Sequence, residues 1–191
     1  MIGISGYARS GKDTFGESLV RNLQKVGIKA KTYALATQLK IDISFLTEGD
    51  FGISAHTKDN DEKKIIRPLL VGYGESWRKA NPNHWLEILD SNLEPKTLPI
   101  VTDIRYENEA DYILENQGFL LNLRRILPDG TEIAAPNNEE AQNGPKVSSK
   151  SNFDLSWCTI DNQETIDEIV WSFMFSQLKN EIELWKVIFP L

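Results

Sequence analysis

Three groups of residues in this chain have the types and spacing for phosphate chemistry. The first is GYARSGKDT, residues 6–14. Gly6, Gly11 and Lys12 fill the pattern G-x-x-x-x-G-K-[ST], but Asp13 stands where a hydroxyl is expected, and Thr14 follows it. In such a loop the glycines let backbone N–H groups turn inward around phosphate oxygens. The helix that follows adds its positive end, and the lysine reaches the outer phosphates. Two readings of Asp13 stay open: a ligand of Mg²⁺, directly or through water, or a first-turn carboxylate that complements the helix dipole. Thr14 is placed to bond an inner phosphate.

The second group lies in IVTDIRYENEADYI, residues 100–113. Asp103 ends a hydrophobic run, where a carboxylate can hold Mg²⁺ or its waters. It can equally grip a substrate hydroxyl, pair with an arginine or cap the next helix. Arg105, two residues on, is a cation for a phosphate. The third group is cationic: Arg67, Arg78 and Lys79 in the middle of the chain, and Arg124 with Arg125 near the end of FLLNLRRI. Phosphoryl transfer needs cations on both donor and acceptor, because its catalysis is mostly positioning and charge stabilisation. Alternation along a strand is expected to let only one of Arg124 and Arg125 face the site.

The elements that must position these groups alternate in type. Strands are expected over 1–5, 29–35, 98–105, 119–126 and 155–160. Helices are expected from Gly11 to about Val26, with Gly27 as its stop, and over 37–46, 83–92 with Asn83 as cap, 107–117 and 164–182. Residues 47–64 read as a polar loop or solvated helix start. Residues 65–80 read as a helix kinked or broken at Pro68, Gly72 and Gly74. Residues 127–155 carry turn signals throughout and read as a long loop, with 127–153 as a lid or flap. Strands alternating with helices predict an α/β fold: three layers, α/β/α, around a parallel five-stranded sheet. Ligands then bind beyond the carboxyl ends of the strands, where the loop, Asp103 with Arg105, and Arg124 with Arg125 all arrive. The whole of 1–191 is expected to be a single domain with an acceptor-binding helical region at 37–95.

Bulk properties narrow the partners. The chain has 191 residues, 40% apolar and 26% charged, and a net charge of −7. An acidic chain does not fit a nucleic-acid binder. One cysteine, Cys158, and two histidines, His56 and His84, exclude an internal disulfide and a Cys/His metal cage. A reducing cytoplasm suits that composition. No apolar stretch approaches a membrane span, and MIGISG does not read as a signal peptide. Tyr73, Trp77 and Trp85 have helical spacing and suit either a core or a nucleobase platform; Cys158 reads as inert core and His84 as structural.

The matching pieces GYARSGKDT, YALATQLK, RPLLVGYGESWRKANPNHWL, IVTDIRYENEADYI, GFLLNLRR and CTIDNQETIDEI run in order along most of the chain. Together they resemble the deoxynucleoside monophosphate kinases of tailed bacteriophages, a family that shares the GKD-T departure in its loop. The resemblance implies a P-loop kinase fold of the nucleoside monophosphate kinase type, acting in the host cytoplasm on small nucleotides. It implies transfer of the ATP γ-phosphoryl group to a deoxynucleoside monophosphate with Mg²⁺. By position, Arg9, Ser10, Gly11, Lys12, Asp13 and Thr14 would hold ATP phosphates, with Asp13 at the metal. Lys40, Arg67, Gly74 and Trp77 would lie along the acceptor. Asp103 and Arg105 would lie between the nucleotides, and Arg124 or Arg125 near the lid. Animal-type phosphomevalonate kinases share a similar loop and D-x-R strand; dephospho-coenzyme A kinases usually carry GKS/T instead. Outside kinases, a nucleotide-binding switch and a non-catalytic interaction domain remain as other classes. The apolar tail ELWKVIFPL, 183–191, suits a partner, a homodimer or packing onto its own domain.

Overall fold

The computed structural model describes residues 1–158 and 162–191. The chain divides into two units, Met1–Tyr33 with Leu93–Leu191, and Ala34–Asn92. The first unit is built on β1 (Ile2–Ser5), α1 (Lys12–Lys25) and β2 (Ala30–Tyr33). The second contains α2 (Ala36–Phe51), α3 (Asn60–Ala80) and α4 (His84–Asn92). The first unit then resumes with β3 (Leu98–Ile104), α5 (Glu107–Glu115), β4 (Phe119–Ile126), α6 (Asn138–Ser148), β5 (Phe153–Cys158), α7 (Gln163–Gln177) and α8 (Lys179–Ile188).

The fold is α/β, with a five-stranded, all-parallel sheet in the order β2-β3-β1-β4-β5. All five strands overlap the segments expected to form them; the expected end of the last, 159–160, lies outside the described residues. Strand alternation sorts the two faces. Ile2 and Ile4 of β1, with Leu121 and Leu123 of β4, join a core with Phe15, Leu19 and Leu23 of α1 and Val170, Phe173 and Met174 of α7. Gly3 turns to the opposite face, against Ile113 of α5, Ile104 and Leu120; a Cβ there would meet Ile113 Cγ1 at 2.9 Å. The sheet is therefore covered on both sides, as a buried parallel sheet requires.

Helix α1 is clamped to α7 by Asp167. Its carboxylate accepts from Ser18 Oγ at 2.5 Å and from Arg21 Nη2 at 2.9 Å. The Arg21 hydrogen bond leads in holding the Asp167 carboxyl down at about 2; Ser18, Gln163 and the Arg21 charge act the same way, while its partial burial opposes them.

Four segments differ from the sequence reading: helix α2, expected over 37–46, runs on to Phe51 into the stretch read as a polar loop or solvated helix start. Helix α3 runs unbroken from Asn60 to Ala80 through Pro68. Pro68 and Gly72 lie on an exposed side, where carbonyls freed from the helix ladder can meet water. Asp59 caps the start by accepting from Asp61 N and Glu62 N, and Gly74 is buried where a Cβ would meet Leu39 Cδ1 at 2.8 Å. The stretch read as a long loop contains α6, because Asn137 caps it by accepting from Glu140 N and Val147 is buried. Its Gly144, within the stretch read as carrying turn signals, seats against the Tyr7 ring. The expected helix 164–182 is two, α7 and α8, separated at Leu178. Cys158, read as core, is exposed.

The tail folds back in part. Ile182 and Trp185 of α8 are buried, and Lys29 N donates to Phe189 O at 2.7 Å. Leu184, Val187 and Leu191 remain exposed. Among the described residues no helix is long and apolar enough to cross a membrane.

Candidate phosphate-binding site

The loop between β1 and α1 takes backbone conformations that its glycines allow. Gly6 has φ 139° and Gly11 has φ 91°, and between them Arg9 takes φ 69°. A side chain at Gly6 would drive a Cβ to 2.2 Å from Leu123 O. At Gly11 the Cβ would come within 2.3 Å of the Trp157 ring. Trp157, on β5, also donates Nε1–H to Ser10 O at 2.7 Å. The ring thus fills the space behind the loop while its N–H fixes one loop carbonyl. Ser10 is 1% exposed, and its Oγ is the buried side-chain polar atom with no hydrogen-bond partner among the described residues. A buried hydroxyl without a partner is costly, and a ligand oxygen would satisfy it.

Lys12 is buried in the first turn of α1. Its Nζ donates to Gly6 O at 2.7 Å and to Tyr7 O at 2.9 Å. Burial pushes its pKa down to about 8, and the Arg105 guanidinium adds to that; Glu140, Asp13 and Asp103 pull the other way. These five charged groups form one cluster. Asp13 is exposed, and its Oδ1 accepts from Thr102 Oγ1 at 2.8 Å. Thr14 follows it in the first turn of α1, half-buried.

Asp103 owes its position to an irregularity in β3. Gly3 pairs with Val101, but Ser5 pairs with Ile104, so Thr102 and Asp103 together oppose Ile4. Such a bulge re-aims side chains at a sheet end. Thr102 reaches Asp13, and Asp103 acts on Lys12. The turn after β3 is set by buried Glu109, whose Oε2 accepts from Arg105 N at 2.8 Å and Tyr106 N at 3.1 Å. Arg105 Nη1 lies 3.4 Å from Glu140 Oε1.

A cavity of about 100 Å³ opens beside the loop. Ser10, Arg105, Asn122, Arg124, Arg125 and Glu140 are among its walls. Arg124 and Arg125 both border it. Arg125 Nη1 donates to Arg9 O at 3.2 Å, while Arg124 pairs with Glu132 at 3.6 Å.

Lys40, Arg67, Gly74 and Trp77 all lie in the unit Ala34–Asn92. Lys40 is half-buried on α2, and Arg67 is exposed on α3. Trp77 stacks on His84 with ring centres 4.1 Å apart, and Tyr73 meets Trp85. The aromatics thus pack largely on one another.

Two residues of the site, Glu140 and Trp157, were not singled out from the sequence. An Asn followed by two acids at 137–140 is a helix-start signal that points to α6; a tryptophan in a strand carries no signal of its own. The site fits a phosphate chain: a buried hydroxyl without a partner among the described residues, a loop whose glycines let it pack tightly on Leu123 and Trp157, and a buried lysine. For a metal, no group of three or more Asp, Glu, His or Cys gathers among the described residues.

Neither a family model nor a curated protein matches the chain. Among solved structures, a sugar kinase from Janibacter sp. HTCC2649 aligns at 11% identity over 95% of this chain and 96% of that chain, with a TM-score of 0.36. A likeness at that level carries no weight for fold or function.

Proposed function

We propose that the protein is a phosphotransferase that moves the ATP γ-phosphoryl group to a deoxynucleoside 5′-monophosphate, giving ADP and the diphosphate. The observation that carries the reading is the loop: a strand-to-helix cradle closed around buried Lys12, with Ser10 Oγ buried and unpartnered. The choice of acceptor rests on the motif resemblance to the phage monophosphate kinases.

An acceptor phosphate oxygen attacks the γ-phosphorus as the bond from that phosphorus to the β-bridging oxygen breaks, and the bond electrons leave with ADP. That oxygen is already nucleophilic at neutral pH, so no general base is needed. A site of cations and carboxylates with no catalytic histidine suits this chemistry. Lys12, after leaving Gly6 O and Tyr7 O, is the cation for the outer phosphates, and Arg105 the cation for the transferring group. Ser10 and the loop N–H groups hold the inner phosphates. Lys40, Arg67, Gly74 and Trp77 are assigned to the acceptor. Asp13 would hold Mg²⁺, directly or through water, Asp103 would hold Mg²⁺ or its waters, and the ion would neutralise phosphate charge.

The test is ADP release with ATP and Mg²⁺, offering dAMP, dGMP, dCMP, dTMP, hydroxymethyl-dCMP and, as a control, phosphomevalonate. Turnover with one or more deoxynucleotides is expected. Turnover with phosphomevalonate alone would keep the loop chemistry and overturn the acceptor. Slow hydrolysis with no acceptor used would overturn the kinase reading in favour of a nucleotide switch.

A further inference from the structure

Glu140 is an anion placed where a nucleotide binder needs an anion-free pocket. It is 6% exposed, in the first turn of α6, which Asn137 caps. Its Oε2 accepts from the loop N–H of Ala8 at 2.7 Å. Its Oε1 faces Arg105 Nη1 at 3.4 Å, and its charge acts on Lys12. A loop N–H, a guanidinium and the loop lysine are the donors that a phosphate oxygen takes in such a cradle.

The place it fills is at the outer end of the cradle. In a loop of this type the N–H groups at the helix start hold the inner phosphates, and the lysine reaches the outer ones. Ala8 lies well before the helix start, next to Gly6 and Tyr7, whose carbonyls hold Lys12 Nζ. Glu140 therefore sits beside the parked lysine and not beside the Gly11–Lys12 turn.

The way α6 is held allows Glu140 to leave. Its C-terminal end is anchored by buried Val147 and by Lys150, which bonds Asp111 at 2.5 Å. Gly144 on the Tyr7 ring and the exposed pair of Lys146 with Glu107 at 3.4 Å add to that C-terminal half, while toward the N-terminus Glu139 accepts from Tyr106 Oη. Exposed pairs of that kind hold little.

We infer that Glu140 is an intramolecular stand-in for the terminal phosphate of the bound nucleotide: a triphosphate must displace it, and a diphosphate leaves it in place. This rests on the proposed function above. Displacement does two things at once. It clears the Ala8 N–H, and it releases Arg105, so that the guanidinium becomes available only when a triphosphate is bound. After transfer, Glu140 returns to the emptied place.

The test measures the affinities of ATP and ADP, each with Mg²⁺, for the wild-type chain and for Glu140→Gln. Glutamine keeps an acceptor for Ala8 N–H but removes the charge. A place filled about four-fifths of the time weakens apparent affinity about fivefold. Glu140→Gln should therefore tighten ATP about fivefold and leave ADP within about twofold. Equal changes for both nucleotides, or weaker ATP binding, would overturn the inference and make Glu140 a brace for the loop. A second measurement needs no variant: amide hydrogen exchange across 138–148 in the wild type should be faster with ATP than with ADP. Equal or slower exchange with ATP would also overturn it. If the wild type binds neither nucleotide, the proposed function falls and the inference falls with it.

Discussion

Asp13 Oδ1 accepts a hydrogen bond of 2.8 Å from Thr102 Oγ1. The carboxylate that replaces the usual loop hydroxyl is thus tied to β3, one residue from Asp103. That bond fixes one carboxylate oxygen in the first turn of α1. Thr102→Val keeps the methyl that packs near Gly16 and removes the donor. It should lower unfolding free energy by about 1 kcal/mol, read by urea denaturation; an unchanged midpoint would mean the bond contributes nothing.

Trp157 braces the loop from behind. Trp157→Phe keeps an aromatic ring but removes the N–H that meets Ser10 O. The orphaned carbonyl should cost about 1–3 kcal/mol of stability. Nucleotide affinity should fall as well, because the loop loses a fixed point. Calorimetric titration with ATP checks this; a stability loss with full affinity would confine Trp157 to the core.

Lys12 makes binding depend on pH. Its pKa lies near 8 in the folded chain against 10.5 for a free lysine. The unfolded chain therefore holds the extra proton between those values, and stability should rise with pH from about 8 to about 10.5. Nucleotide binding runs the other way: phosphates favour the charged amine, so binding should take up a proton and weaken as pH rises through about 8. Titrations in two buffers of different ionisation enthalpy measure that proton, and no uptake at pH 8–9 would refute the placement. Lys12→Ala should cut kcat by at least about 10²-fold.

Asp167 sets an acid limit. With its pKa held at about 2 against 3.8 for a free aspartate, its contribution is complete above the unfolded value and is lost as pH falls from about 4 to about 2. Asp167→Asn should cost about 1–2 kcal/mol at neutral pH and flatten the acid slope in that window. Thermal melts of both proteins between pH 2 and 7 would reveal an unchanged slope if the clamp carried no weight.

The sequence by itself determined the sheet and the loop. The apolar runs of β1, β3 and β4 and a G-x-x-x-x-G-K turn are local patterns, and central strands buried on both faces leave little freedom in how they are read. Lys12, Asp13, Asp103 and Arg105 were legible because each sits beside such a pattern. Tertiary structure decided the rest. Helix α6 forms across Gly144 and Pro145 because the Tyr7 ring needs a residue without a Cβ and Val147 needs burial, and neither partner is near in sequence. Helix α3 survives Pro68 because the freed carbonyl faces water. Glu140 meets Ala8, and Trp157 meets Ser10, across separations of 132 and 147 residues. No local spacing encodes such pairs; they exist only once α6 and β5 have packed against the loop.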